Sequence, residues 1–183
     1  MARATCIGGI AALALLAIAT GCRKERPLSS NLNVENKVAL RQVVLYYESA
    51  DFLLAPERRN VPLPENPAGA VPVVLRELVK GPATPDAVRV LPPDTVLRGA
   101  YLLPEGTVIV DLGGTTLMDG WHTGSHEELM AVYSVIETVT ANFPQAKRVR
   151  LLINGEPAET MAGHISLAKS LPRSAALVGP AAR

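Results

Sequence analysis

The spacing of apolar residues changes along this chain in a fixed order, and that order constrains the fold more than any other feature. Residues 43–47 form a β-branched and aromatic run that predicts the first strand. From Ala68 the apolar residues follow a helical period, and Gly81 with Pro82 ends this helix as a left-handed cap and a stop. The helical stripe consists of Val71, Val74, Leu75, Leu78 and Val79.

The stretch between that strand and that helix is rich in proline. Residues 52–61 predict a short hairpin-like excursion, and Pro62, Pro64 and Pro67 predict an extended loop after it. Pro72 is tolerated only in the first turn of a helix, so it indicates where the helix starts.

Two further strands and a final strand frame the second half of the chain. Residues 96–103 and 107–112 predict an antiparallel hairpin, because the sequence between them favours a tight turn. Residues 147–153 alternate as a last central strand, which ends at the turn residues Asn154 and Gly155.

A second helix is predicted between the hairpin and the last strand. Ser125 and Glu128 have the spacing of a capping box, which marks its start, and Pro144 ends it. Its apolar stripe consists of Leu129, Val132, Tyr133, Ile136, Val139 and Phe143. The resulting order predicts an α+β fold, a two-layer βαββαβ sandwich with two helices packed on one face of a mixed four-stranded sheet.

The start of the chain has the organisation of a secretory signal. Arg3 precedes an apolar run at residues 7–21, which is too short for a stable membrane span. Residues 19–22 resemble the bacterial lipobox, in which the cysteine is diacylated and becomes the N-terminus after cleavage. Ala19 departs from the usual leucine, and a plain signal peptide is the alternative. We expect lipidation of Cys22, with acyl chains such as palmitate, and attachment to the extracytoplasmic face of a membrane.

This interpretation divides the chain into a series of segments. They are a lipoprotein signal peptide at 1–21, the lipidated cysteine with a flexible spacer at 22–41, a folded domain at 42–171 and a loosely ordered tail at 172–183. The only other cysteine, Cys6, lies in the signal peptide, so no disulfide or thiol site is expected in the mature chain. The 18 basic and 17 acidic residues of the whole chain nearly balance, which gives no electrostatic drive toward nucleic acid.

An ordered set of motifs within residues 43–171 resembles the GerMN domain of bacterial sporulation and spore germination proteins. The motifs are residues 75–82, 91–95, 108–112, 124–140, 143–144, 149–155 and 162–165. The resemblance implies an interaction module of the cell envelope, similar to the ring-building domains of secretion-type assemblies, and it supplies no catalytic residues. Glu137 departs from the pattern, because the family tends to have asparagine there.

The polar residues near the second helix are the strongest candidates for catalysis or metal binding. They are Asp111, Asp119, His122, His126, Glu127 and Glu128. Gly124 and Ser125 interrupt the helix between the two histidines, so their spacing does not fix a shared metal. We expect a polar loop without metal or cofactor, with His126 in the first turn of the second helix and the acidic residues near its positive end. Ser125 and Ser134 lack the sequence context of a hydrolase nucleophile, and we expect no enzymatic activity.

Three features are candidates for binding. Arg58 and Arg59 are adjacent guanidiniums on the predicted proline-stiffened loop, and they suit a carboxylate-rich surface. Trp121, the only tryptophan, either anchors an interface or covers the core as a lid. His164 either contacts a partner or hydrogen-bonds backbone near the sheet edge.

Two functions therefore remain open. The first is a lipid-anchored, non-enzymatic envelope module that binds an envelope protein partner through a sheet edge or loops. The second is an envelope protein that binds a small ligand or cell-wall fragment through Trp121, Asp119 and the histidines. A closed pocket beneath residues 112–124 would favour the second function.

Overall fold

The computed structural model describes residues 37–179. The predicted signal peptide, Cys22 and most of the spacer lie outside the described residues. No helix within 37–179 combines the length and the apolar character needed to cross a membrane.

The first two strands form a long antiparallel ribbon. Strand β1 spans Val38–Glu48 and strand β2 spans Leu54–Pro64, and the two pair over all eleven residues. The predicted hairpin-like excursion and extended loop are therefore wrong in extent, because residues 54–64 form one continuous strand. Proline is compatible with this strand because β2 pairs only with β1 from Pro56 to Pro64, so the prolines can turn their missing donor to the unpaired side.

The turn of this ribbon places an aromatic residue in an unusual conformation. The backbone N–H of Phe52 donates to Ser49 O at 3.0 Å, and Phe52 itself has φ 59°. This left-handed position normally takes glycine or asparagine, so the turn carries backbone strain of about 1–2 kcal/mol. The Phe52 side chain is 68% exposed.

The remaining strands form a second, mixed sheet. Its order is β3 (Val96–Leu102), β4 (Thr107–Gly113), β5 (Arg148–Ile153) and β6 (Glu156–Pro157), with β7 (Leu171–Pro172) also pairing with β5. Strands β4 and β5 are parallel, and the other pairs are antiparallel. The predicted α+β class with a mixed sheet is confirmed. In detail, the first predicted strand belongs to the ribbon, and the short strands β6 and β7 complete the sheet.

The first helix follows the ribbon directly. Helix α1 spans Pro67–Val79, and the Asn66 side chain accepts a hydrogen bond from Gly69 N at 2.6 Å. The helix ends at Gly81, which has φ +93°, as the sequence predicts. Pro72 lies inside the helix rather than in its first turn, because Pro67 already occupies the first helical position.

Helix α3 (Ser125–Asn142) lies at the centre of the molecule and follows the short helix α2 (Thr115–Met118). It contacts β1, β5 and α1, so its middle is buried on almost every side. Met130, Ala131 and Val135 are buried together with the predicted Val132, Ile136 and Val139. The predicted capping box is wrong: Gly124 precedes the helix, with no side-chain cap.

The end of the described chain has regular contacts. Leu171 and Pro172 pair with β5, residues Ala175–Leu177 form a short 3₁₀ helix, and Val178 bridges to Leu54. Residues 172–179 thus differ from the expected loosely ordered tail. The difference arises because β5, Glu137 of α3 and Leu54 of β2 supply partners that lie far away in sequence.

Candidate functional site

Three polar side chains of α3 follow the outer edge of β1. The Asn142 amide exchanges two hydrogen bonds with the backbone of Val44, at 3.0 Å and 2.6 Å. Thr138 Oγ1 accepts from Tyr46 N at 3.0 Å, and Ser134 Oγ donates to Tyr46 O at 2.6 Å. The helix therefore takes the place of a third strand along this stretch of the ribbon.

These contacts show where Ser134 lies. Its hydroxyl is buried and bonded to strand backbone, so it is placed as a structural group. The spacing of Ser134, Thr138 and Asn142, four residues apart on one helix face, is visible in the sequence. The apolar stripe does not reveal it, because polar residues that bind backbone lie outside that stripe.

A cavity of about 240 Å³ lies where α3 ends and β1 continues. It is lined by β1, by the end of β2, by the start of α1 and by the end of α3, including Arg41, Gln42, Leu63, Glu65 and Phe143. Its volume is below the roughly 300–1,000 Å³ of typical small-ligand pockets. A second cavity of about 130 Å³ lies beside Glu57 and Thr84. Neither of these two cavities is lined by residues 112–124.

Glu128 is a fully buried carboxylate that holds the segment after β6. Its Oε1 accepts hydrogen bonds from the backbone N–H groups of Met161 and Ala162 at 2.8 and 2.7 Å. Its Oε2 accepts from the backbone of His164 and Ile165 at 2.6 and 3.1 Å. The carboxylate thus fixes the path of residues 161–165.

The environment of Glu128 keeps it ionised. Burial on its own raises the pKa of this carboxyl, but the backbone donors of residues 161–165 outweigh burial and lower the pKa below its ordinary value. The His164 ring adds a contact, with Nδ1 at 3.1 Å from Oε2. The sequence leaves open whether His164 contacts a partner or hydrogen-bonds backbone near the sheet edge. In the structure its ring instead contacts the buried Glu128 carboxylate.

Glu137 has a similar role closer to the end of α3. Its Oε1 accepts a hydrogen bond from Ser174 N at 2.7 Å, and Oε2 lies 3.1 Å from Arg173 Nη2 as an ion pair. The asparagine typical of the resembled family has a shorter side chain. The departure at Glu137 therefore coincides with a contact to the C-terminal segment.

His126 pairs with the end of β1. Its Nε2 lies 2.8 Å from Glu48 Oε1, and the Phe52 ring meets the imidazole edge to face at a centroid distance of 5.7 Å. His126 lies in the first turn of α3, as the sequence predicts, and its ring contacts the ribbon. His122 is exposed in the segment before the helix.

The other members of the acidic and histidine cluster are dispersed. Asp111 binds Gly155 N at 2.8 Å and Arg98 at 3.2 Å, while Asp119, Glu127 and Ser125 lie toward solvent. Within residues 37–179, no group of three or more such side chains has the geometry to hold a metal ion. The structure does not bring the predicted cluster together, because α3 points Glu128 inward and Glu127 outward.

The guanidinium of Arg59 binds groups within the fold rather than facing solvent. It forms an ion pair with Glu57 at 2.5 Å and donates to the carbonyls of Glu77 and Gly81 at 3.1 and 2.5 Å. These carbonyls belong to the end of α1, where a cation is favourable. Burial raises the pKa of the neighbouring Tyr47 hydroxyl to about 12 even though Arg59 opposes this.

Arg58 points away from Arg59 and is exposed. Both lie on strand β2 rather than on a loop, so adjacent residues face opposite sides of the ribbon. The prediction of two guanidiniums presented together is wrong in geometry. A binding role for either residue stays a prediction, and Arg58 is the one available to a partner.

Trp121 is half-buried against the core, in the segment between α2 and α3. The neighbouring Met118 is 66% exposed. This placement is compatible with both the lid and the anchor roles that the sequence leaves open.

Comparison with known proteins finds a matching family and solved structures with the same fold. Residues 44–159 match the model of the family Germane, described as sporulation and spore germination. The first GerMN domain of the sporulation protein GerM from Bacillus subtilis is 24% identical, with a TM-score of 0.51, over 73% of this chain and 94% of that one. The tandem GerMN domains of the same protein give 24% identity and a TM-score of 0.54, over 74% of this chain and 45% of that one.

A second organism provides a further structural relative. A predicted lipoprotein from Clostridium perfringens is 15% identical, with a TM-score of 0.52, over 73% of this chain and 88% of that one. At these identities the likeness to solved structures shows the fold alone. A comparison with curated protein sequences gave no significant match.

Proposed function

The chain belongs to the Germane family of sporulation and spore germination, as the GerMN resemblance indicates, and from this membership we propose that it is a lipid-anchored, non-enzymatic interaction module of the cell envelope. In this proposal Cys22 carries the lipid, and the spacer after it separates the folded domain from the membrane. The domain binds an envelope protein partner and acts in sporulation, germination or envelope assembly. The family is not known for enzymatic activity.

The observation that carries the non-enzymatic character is that polar side chains which could serve in catalysis are engaged in contacts within the fold. Glu128 binds the backbone of residues 161–165, Ser134 binds the backbone of Tyr46, and His126 pairs with Glu48. Each candidate is thus engaged in holding two regions of the fold together. Such side chains support a rigid scaffold, on which exposed edges and loops are left for binding.

The membrane attachment rests on the sequence. Two acyl chains on Cys22 would give stable anchoring, since each buried methylene contributes about 0.8 kcal/mol. The structural relative described as a predicted lipoprotein agrees with this arrangement. The basic residues Arg23, Lys24 and Arg26 follow the cysteine and suit anionic lipid head groups.

The anchor is tested with Cys22→Ser in cells grown with a labelled fatty acid. The proposal expects loss of the label together with release from the membrane or accumulation of unprocessed protein. Processed Cys22→Ser protein that stays in the membrane fraction without label would contradict it.

The interaction is tested by cross-linking in cells. Arg58→Glu and Trp121→Ala should each weaken recovery of an envelope protein partner while membrane attachment stays intact. Glu127→Ala, a substitution on the solvent side of α3, is the matched control. If both variants retain every cross-link, the partner binds elsewhere on the domain.

A further inference from the structure

The outer edge of β1 is covered over only a fraction of its length. In an antiparallel ribbon, residues alternate between bonding the paired strand and facing away from it. Val44 and Tyr46 face away from β2, and α3 satisfies their backbone groups. Leu40 and Gln42 have the same parity and therefore face the same way, beyond the last residue of α3.

The backbone of this uncovered stretch is available for pairing. Within residues 37–179, the outward N–H and C=O groups of Leu40 and Gln42 have no hydrogen-bond partner. Leu40 is also 71% exposed, and Val38 is 58% exposed. We call residues 38–42 the open edge of β1.

The opposite edge of the ribbon is blocked in comparison. Pro56, Pro62 and Pro64 of β2 pair with Tyr46, Leu40 and Val38. These three positions are ones at which the backbone of β2 faces away from β1, so each lacks the N–H donor that an added strand would need. Prolines at these positions protect an edge from pairing with another chain. The open edge of β1 contains no proline.

A cavity adjoins the open edge. The space of about 240 Å³ is lined by Arg41, Gln42 and Val43 of β1 together with Leu63, Phe143 and Gln145. A strand added along β1 would direct alternate side chains toward this space. The site thus combines the two elements of strand-addition binding, which are free backbone groups and a pocket for a side chain.

The charge of the open edge indicates what kind of strand it fits. Lys37 and Arg41 are exposed and are the only charged residues from 37 to 47. Glu65 is the one acidic residue that lines the cavity. A peptide with acidic side chains would therefore complement the edge.

We propose that the open edge of β1 binds an extended, acidic peptide segment of a protein partner by strand addition. The proposal rests on the proposed function, because it gives the interaction module a defined binding edge. It also specifies that recognition is mainly through backbone hydrogen bonds to Leu40 and Gln42, with one side chain of the peptide in the cavity.

The test uses the purified full-length protein in detergent and a displayed library of short random peptides. Enriched peptides should contain acidic residues together with an apolar residue that fits the cavity. Leu40→Pro removes an outward donor without removing a bond between β1 and β2, and it should weaken the binding of an enriched peptide at least about tenfold. Asn60→Pro makes the same change at the outward edge of β2 and should alter binding less than about twofold.

Hydrogen exchange provides the second readout. A bound enriched peptide should slow exchange of the amides of Leu40 and Gln42. Arg41→Glu should weaken binding of the acidic peptide and strengthen binding of a version in which lysine replaces the acidic residues. Melting curves of both proline variants show whether the ribbon stays folded.

Three outcomes would overturn the proposal. The first is enrichment of peptides that bind Leu40→Pro as well as the unmodified protein. The second is an enriched set without acidic residues. The third is slow exchange at Leu40 and Gln42 in the absence of peptide, which would show that residues before 37 or a second copy already cover the edge. None of these outcomes changes the cross-linking or lipid-labelling results, which test the proposed function separately.

Discussion

The carboxylate of Glu128 accepts a hydrogen bond at 2.6 Å from the backbone N–H of His164, which lies 36 residues further along the chain. This contact and its three neighbours attach the segment at 161–165 to the first turn of the central helix. Because the carboxylate is fully buried, its four backbone donors replace the water that it would otherwise bind. The arrangement makes one side chain responsible for the closure of a long connection.

Replacement of Glu128 by glutamine should destabilise the fold by about 3 kcal/mol. Glutamine keeps the size of the side chain, but its NH₂ group would face backbone donors and leave them buried without an acceptor. Urea unfolding measures the change in the free energy of unfolding. Glu127→Gln, at the neighbouring position that faces solvent, should change it by less than about 0.5 kcal/mol. Equal effects of the two substitutions would contradict the structural role of Glu128.

Stability should decrease as the pH falls below about 4.5. The folded state holds the pKa of Glu128 below its ordinary value of 4.5, and the pKa of Glu57 is lowered in the same sense by the Thr84 and Arg59 donors despite burial. A lowered pKa stabilises the fold above the ordinary value, and this contribution is lost as the pH falls through the folded value. Thermal unfolding between about pH 3 and 7 should therefore show a shallower decline in Glu128→Gln than in the unmodified protein.

Truncation of Ile136 should cost about 2–5 kcal/mol, because its side chain is fully buried in the middle of α3 and its loss leaves a cavity. Denaturant unfolding of Ile136→Ala, with Glu127→Ala as the control on the opposite side, gives the measurement. A larger loss in the control would mean that this face of the helix is not the core face.

Arg58 and Arg59 should respond differently to the same substitution. Arg59→Glu places a second acid beside Glu57 and removes the donors at the end of α1, so we expect a loss of at least about 2 kcal/mol in stability. Arg58 is exposed, so Arg58→Glu should change the free energy of unfolding by less than about 0.5 kcal/mol. Melting temperatures of the two variants test this difference, and similar losses would show that Arg58 also supports the fold.

Glu137→Asn should loosen the end of the domain. The shorter side chain would not reach Ser174 N or Arg173, which the glutamate contacts at 2.7 and 3.1 Å. Limited proteolysis should cut within residues 173–179 faster than in the unmodified protein, while cleavage elsewhere stays unchanged. Glu156→Asn, on an exposed strand residue, serves as the control. Unaltered cleavage would show that β7 and the 3₁₀ helix hold the tail without Glu137.

Local patterns were enough to predict several elements. Gly81 ends α1 because a left-handed position after a helix favours glycine, and the apolar period of 71–79 identifies its buried face. The hairpin of β3 and β4 follows from a turn sequence between two alternating runs. These predictions succeeded because each depends on interactions between residues close together in the chain.

The sites were predicted less well. Ser125 and Glu128 have the spacing of a capping box, yet Glu128 turns into the core, where donors from 161–165 compete with the helix end for its oxygens. The prediction of a loop around Arg59 is wrong, because the prolines of β2 obscure a strand that only pairing with β1 stabilises. Such competition cannot be read from the spacing of residues along the chain.

The sequence by itself determined the family, the α+β class and the order of the two long helices and of strands β1, β3, β4 and β5, since periodicity and turn chemistry are local properties. Only the tertiary structure decided that β1 and β2 form a ribbon separate from the mixed sheet, and that α3 covers β1 as far as Val44. It also decided that Glu128 and Glu137 hold segments more than thirty residues away. The physical reason is that a hydrogen bond needs two groups within about 3 Å, and folding alone brings groups so distant in sequence to that separation.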